Sequence, residues 1–89
     1  MERTVTIRNR LGLHARPAAE FVRCARGFKS SIRIRKNGEV FSATSILDVL
    51  SANLEFGSTM LLEAIGPDAE AALDRLDALL HEFKTQEEG

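Results

Sequence analysis

The run Gly12-Leu13-His14-Ala15-Arg16-Pro17-Ala18-Ala19 is where this chain concentrates residues able to do chemistry. A histidine stands between a short alternating segment and an amphipathic one, with an arginine two positions on. A good fraction of imidazole is unprotonated near neutral pH, so one ring nitrogen can act as a nucleophile. A helix beginning at Ala15 leaves its first backbone N–H groups without intrahelical acceptors, directed back towards His14. Such a helix start presents donors and partial positive charge, which suit an anion. Pro17 gives up a donor that the first turn does not need. Arg16 adds a permanent charge and a fork that fits phosphate oxygens. Gly12 lets the chain bend tightly ahead of the ring. Ala15, Arg16 and Pro17 thus outline a phosphate-sized site at a helix start. The chemistry implied is acceptance of a phosphoryl group on an imidazole nitrogen and its onward transfer, helped by preorganised charge. The plain alternative is a histidine that only ends a strand and caps a helix.

The elements that must position this run are legible from periodicity. Residues 4–8, Thr-Val-Thr-Ile-Arg, alternate polar and β-branched apolar types and predict a half-buried strand. Residues 15–26 change period, with Ala18, Phe21, Val22 and Ala25 on one helical face and Glu20, Arg23 and Arg26 elsewhere. Gly27 supplies a stop. Residues 31–35 alternate again, and Asn37-Gly38 predicts a two-residue hairpin into a partner strand over 39–43. Thr44 or Ser45 can cap a short helix over 46–52. Residues 53–58 read as a loop carrying Gly57, and 59–65 as a fourth strand. Gly66-Pro67-Asp68 turns the chain into a helix with apolar residues from Ala69 to Phe83 and acids near its start, where they suit the dipole. Residues 84–89 read as a polar tail that frays. The order β-α-β-β-α-β-α predicts an α+β fold, a four-stranded antiparallel sheet with three helices on one face, an open-faced sandwich.

Bulk properties narrow the classes. Eighty-nine residues predict one domain over 1–89 with a modest core, filled by aliphatics and five phenylalanines since Trp and Tyr are absent. A single Cys24 allows no internal disulfide and fits a reducing compartment. The start Met1-Glu2-Arg3-Thr4 carries no apolar leader, and the apolar runs are far shorter than the roughly 20 residues that cross a bilayer. A cytoplasmic protein without membrane insertion is expected. Charge is segregated. Residues 1–36 hold ten bases and two acids, and 37–89 hold two bases and eleven acids, so the halves carry +8 and −9. A basic first half suggests an acidic partner, unless the two halves interleave in space. No metal or cofactor is expected. His14 and Cys24 stand about 15 Å apart along one helix, whereas ligands meet about 2 Å from a shared ion, and His81 reads as a cation in the last helical turn. RNA binding is a second class to weigh for a basic α+β face. The phenylalanines, Phe56 included, sit mostly in apolar patterns, which leaves no exposed aromatic platform and argues against nucleic acid.

The motif around His14 resembles the active-site signature of HPr, the histidine-containing phosphocarrier family of the bacterial phosphoenolpyruvate-dependent phosphotransferase system (PTS). The likeness runs along nearly the whole chain, through Phe21-Val22 with Arg23 and Arg26, Lys36-Asn37-Gly38, Ser45-Ile46-Leu47 and the helix start from Gly66-Pro67-Asp68 to Leu73. It implies the open-faced sandwich and a phosphotransfer intermediate rather than an enzyme. His14 would be phosphorylated on Nδ1 by phosphorylated enzyme I and would relay the group to an EIIA-type acceptor, in sugar uptake or in a regulatory phosphorelay. Arg16 would be its companion, and the Ala15 and Arg16 amides would hold the phosphoryl oxygens. Partners would dock on Ala19, Ile46, Leu47 and Leu50, with Arg23 and Arg26 on a charged rim. Ser45 matches a position that some members offer to an HPr kinase/phosphorylase, although Asp48 departs from the small residue many relatives carry there. A monomer is expected. The alternative is a regulatory or RNA- or protein-binding module that uses the same surface without phosphotransfer.

Overall fold

The computed structural model describes residues 1–88. Four strands, β1 (Glu2–Thr6), β2 (Ser31–Lys36), β3 (Glu39–Ser42) and β4 (Thr59–Ile65), form one antiparallel sheet in the order β1-β4-β2-β3. Three helices, α1 (Ala15–Arg26), α2 (Ile46–Ser51) and α3 (Ala69–Glu88), complete the open-faced sandwich. Register explains the layering. Val5 lies opposite Met60, and Ile34 opposite Leu62, so the alternating apolar residues of adjacent strands share a face. That face joins one buried cluster with Ala18, Phe21, Val22 and Ala25 of α1 and Ala72, Leu73, Leu76 and Leu80 of α3. The opposite face carries Thr4, Arg33, Arg35 and Glu63, with Arg35 and Glu63 paired at 3.1 Å. Asn37 and Gly38 both have positive φ, +51° and +81°, as the hairpin requires.

Charge segregation along the chain is partly undone in space, because Arg3 meets Asp74 and Asp77 and Arg35 meets Glu63. Asp68 ties the turn before α3 to the chain after α1, accepting from the Lys29 and Ser30 amides at 2.8 and 2.9 Å and from the Ser30 hydroxyl.

Several boundaries differ from the sequence reading. The first strand runs from Glu2 to Thr6, not 4–8. Met1 and Ala64 exchange backbone hydrogen bonds at the near end, and beyond Thr6 the chain leaves the ladder to bond the loop after α2. The second strand extends one residue to Lys36, the third closes at Ser42, and α2 ends at Ser51 with Ala52 as its cap. Gly27 caps α1 in a right-handed conformation, so its stop does not depend on positive φ. The polar tail does not fray at Lys84: α3 continues to Glu88, and only Gly89 of that segment lies outside the described residues. The helix persists because Phe83 is buried and Glu87 accepts two backbone hydrogen bonds from the His14 loop. His81 therefore stands well before the end of α3, beside Asp77 at 3.6 Å, and not in its last turn.

Candidate functional site

The approach to His14 is built by two loops laid side by side. Ile7 N–H donates to Ser58 at 2.8 Å, Gly57 N–H to Ile7 at 2.9 Å, and Leu13 N–H to Leu54 at 2.8 Å. Within the first loop, Asn9 makes a local clamp. Its side-chain amide donates to the Gly12 carbonyl at 2.7 Å, and its own carbonyl accepts from Gly12 N–H at 3.0 Å. Gly12 has φ +65°, and a Cβ there would meet the Leu54 carbonyl oxygen at 2.6 Å. Glycine is thus required both for the backbone conformation and for the close approach. Glu87 grips the same loop from α3, accepting from the Arg10 and Leu11 amides at 2.5 and 3.0 Å.

His14 is the N-cap of α1, in extended conformation, with its imidazole exposed and making no capping hydrogen bond. Its carbonyl accepts from Ala18 N–H at 2.9 Å, so the helical ladder opens there. The Ala15 and Arg16 amides precede that first bond and have no intrahelical acceptor. Pro17 has no N–H to offer, so its part in the predicted phosphate site is reduced to a buried wall. His14, Arg16 and Pro17 line an open cleft of about 250 Å³ together with Asn9, Leu11 and Glu20, and its far side is closed by Phe83, Gln86 and Glu87 of α3. Sequence reasoning did not single out Asn9, Leu11, Gln86 and Glu87. The positive end of α1 and the Arg16 guanidinium make this cleft able to hold a tetrahedral anion beside a nucleophilic ring.

Leu47 is 73% exposed and Leu50 41%, while Val49 between them is buried. Ile46 is half-buried and packs against the core, so it contributes less free surface than expected. Ala19, Arg23 and Arg26 are exposed along α1, which packs on α2. Arg26 donates to the Thr44 carbonyl at 2.9 Å, fixing the entry to α2. Ser45, rather than Thr44, is the N-cap of α2, accepting from Asp48 N–H at 3.3 Å. The Asp48 carboxylate turns back to accept from Ser42 N–H at 2.9 Å. At the other end Lys36 donates to the Ala52 and Asn53 carbonyls at 3.1 and 2.7 Å. Cys24 is half-buried, and burial pushes its thiol above the ordinary value, with nearby Arg75 opposing and Glu82 adding to the rise.

One expectation fails outside the cleft. Phe56 is not in the core; it is 61% exposed.

An exposed imidazole at the positive end of α1, on an antiparallel open-faced sandwich, fits a small carrier protein. Residues 1–82 match the family described as the PTS HPr component phosphorylation site, and the chain belongs to this HPr family. It is 41% identical over 80 residues to the phosphocarrier protein HPr of Cupriavidus necator, covering 90% of each chain. It is 42% identical over 80 residues to the phosphocarrier protein NPr of Shewanella violacea, covering 90% of this chain and 88% of that one. The crystal structure of HPr from Thermoanaerobacter tengcongensis superposes with a TM-score of 0.91 at 38% identity, covering 96% of each chain. The protein is thus a phosphocarrier of the PTS type, a transfer intermediate and not an enzyme in its own right. No helix among the described residues is long and apolar enough to cross a membrane.

Proposed function

We propose that His14 accepts a phosphoryl group on Nδ1 from phosphorylated enzyme I and relays it to an EIIA-type acceptor. The Nδ1 lone pair forms the bond to phosphorus as the bond to the donor breaks and returns its electron pair to the donor; the second transfer reverses these roles. The Ala15 and Arg16 amides and the Arg16 guanidinium hold the phosphoryl oxygens, and Pro17 walls the site. The observation that carries this reading is the exposed, uncapped imidazole of His14 at the start of α1. Leu47 and Leu50, flanked by Ala19 and Ile46, form the apolar centre of the docking surface, and Arg23 and Arg26 its charged rim. Ser45 serves as the cap of α2. The Asp48 carboxylate beside it sets a negative charge against phosphorylation by an HPr kinase/phosphorylase, and treatment with such a kinase and ATP should leave Ser45 unmodified. The chain works as a single HPr-like domain over 1–89, monomeric and cytoplasmic.

The experiment is intact mass after incubation with enzyme I and phosphoenolpyruvate, run beside His14→Ala. One acid-labile phosphoryl group on the unaltered protein and none on the variant is the expected outcome. A phosphorylated His14→Ala would overturn the assignment. Near-equal identity to an HPr and an NPr supports two destinations for the group, sugar uptake and a regulatory phosphorelay. Parallel transfer assays with acceptors of each kind distinguish them.

A further inference from the structure

A second cavity, of about 390 Å³, shares Glu87 with the His14 cleft and is lined by Arg8, Arg10, Phe56, Lys84 and Glu87. We propose that it binds one nucleoside phosphate, with the base stacked on Phe56 and the phosphate held by Arg8 and Arg10. Its volume falls within the range of small-ligand pockets, roughly 300–1,000 Å³. Arg8 and Arg10 share this lining with Glu87, whose carboxylate is already engaged by the Arg10 and Leu11 backbone amides. Among the described residues neither the Arg8 nor the Arg10 guanidinium has an acidic partner, whereas Arg3, Arg35 and Arg75 all do.

Exposure of Phe56 is built into the backbone. Bonds between Ile7 and both Gly57 and Ser58, and between Leu13 and Leu54, lock the segment carrying Phe56 to the segment carrying Arg8 and Arg10. The aromatic face and the two guanidiniums therefore spring from one rigid loop pair. An aromatic face attracts a planar base, and a pair of guanidiniums attracts phosphate oxygens. Strand-binding proteins stack successive bases on several aromatic side chains. Here a single exposed aromatic serves a single cluster of cations, which favours one nucleotide over an oligonucleotide.

The test is titration of the full chain with ADP, followed by NMR of the Phe56 ring and the Arg8 and Arg10 Nε–H groups. Adenosine, pyrophosphate and a short single-stranded RNA are titrated in parallel. ADP should bind with a dissociation constant of about 0.1–1 mM, weakened by salt. Phe56→Ala, Arg8→Gln and Arg10→Gln should each weaken it about tenfold, a difference of about 1.4 kcal/mol. All three variants should still gain one phosphoryl group from enzyme I, so failure here is separable from failure of the carrier reading. The proposal is overturned if 5 mM ADP, on the order of the weakest affinity of interest, moves none of these resonances. It is overturned equally if pyrophosphate binds as tightly as ADP and Phe56→Ala changes neither, or if the RNA binds far more tightly with shifts spread beyond the groove.

Discussion

Replacing Gly12 by alanine separates two reasons for a glycine ahead of His14. Gly12 has φ +65°, and an added Cβ would lie 2.6 Å from the Leu54 carbonyl oxygen and 3.0 Å from the Glu55 Cα. The left-handed conformation alone costs an alanine about 1–2 kcal/mol. The contact is with backbone, so it is relieved only by parting the two loops, which stretches the 2.8 Å bond from Leu13 N–H to Leu54. Losing that bond adds about 1–2 kcal/mol. Gly38 is the control: its φ is +81°, and nothing lies within 4 Å of an added Cβ. Gly38→Ala should therefore show the conformational cost alone. With about 5 °C of Tm per kcal/mol in a domain of this size, Gly12→Ala should melt about 10–20 °C lower than the unaltered protein. Gly38→Ala should melt about 5–10 °C lower. Thermal and urea unfolding of the three proteins measure this. Phosphoryl acceptance well below either Tm should fall in Gly12→Ala only, because His14 follows the displaced loop. Equal losses of stability in the two variants would refute the close-approach argument.

Glu87→Ala should speed hydrogen exchange at the Arg10 and Leu11 amides while leaving β2 and β4 protected, as measured by NMR; unchanged exchange there would remove the clamp. Hydrogen bonds from the Ser30 hydroxyl, and from the Lys29 and Ser30 amides, hold the Asp68 carboxyl below its ordinary value. Its contribution to stability is therefore full above the unfolded-state pKa, about 3.9, and is lost as pH falls through the lower folded value. Asp68→Asn should be less stable than the unaltered protein at pH 7, and the gap should close in strong acid. Leu47→Asp should raise the KM of enzyme I for this carrier about tenfold or more without lowering Tm, since the side chain is 73% exposed and contributes little to the core.

Periodicity made the sheet, α1 and the hairpin readable, because alternation and the Asn37-Gly38 pair are local signals of a local geometry. The placing of His14 and Arg16 at one helix start was readable for the same reason: the imidazole, the cation and the helix start are neighbours in sequence. The rest of the cleft comes from the far end of the chain. Gln86 and Glu87 reach it only because α3 runs past the polar residues that looked like a stop, held by buried Phe83 and by the amides of Arg10 and Leu11. No local pattern announces a carboxylate that bonds a loop at the opposite terminus. Phe56 misled for a related reason. It follows buried Leu54 in an apolar pattern, but Asn53 and Gly57 on either side both take positive φ, and the backbone between them turns the ring outward. The two turn-forming residues were the available signal.

A carrier must release what it binds, and the composition of the His14 cleft bears on that requirement. On the proposed relay, two amides and one guanidinium would favour the phosphoryl group, while Glu20 and Glu87 line the same cleft and would oppose it. Uniformly tight binding would stabilise the phosphorylated protein without helping the group leave, and the relay would stall. The bond that matters is made and broken in the complex with a partner, where the cleft is covered and electrostatic interactions strengthen as water is excluded. In the proposed relay, an open cleft lined by Glu20 and Glu87 would keep the free phosphorylated form in an intermediate position. The attraction becomes decisive only when a docked partner completes the site. On the same proposed relay, the exposure of His14 would belong to the mechanism, and docking on the apolar patch at Leu47 and Leu50 would set when transfer occurs.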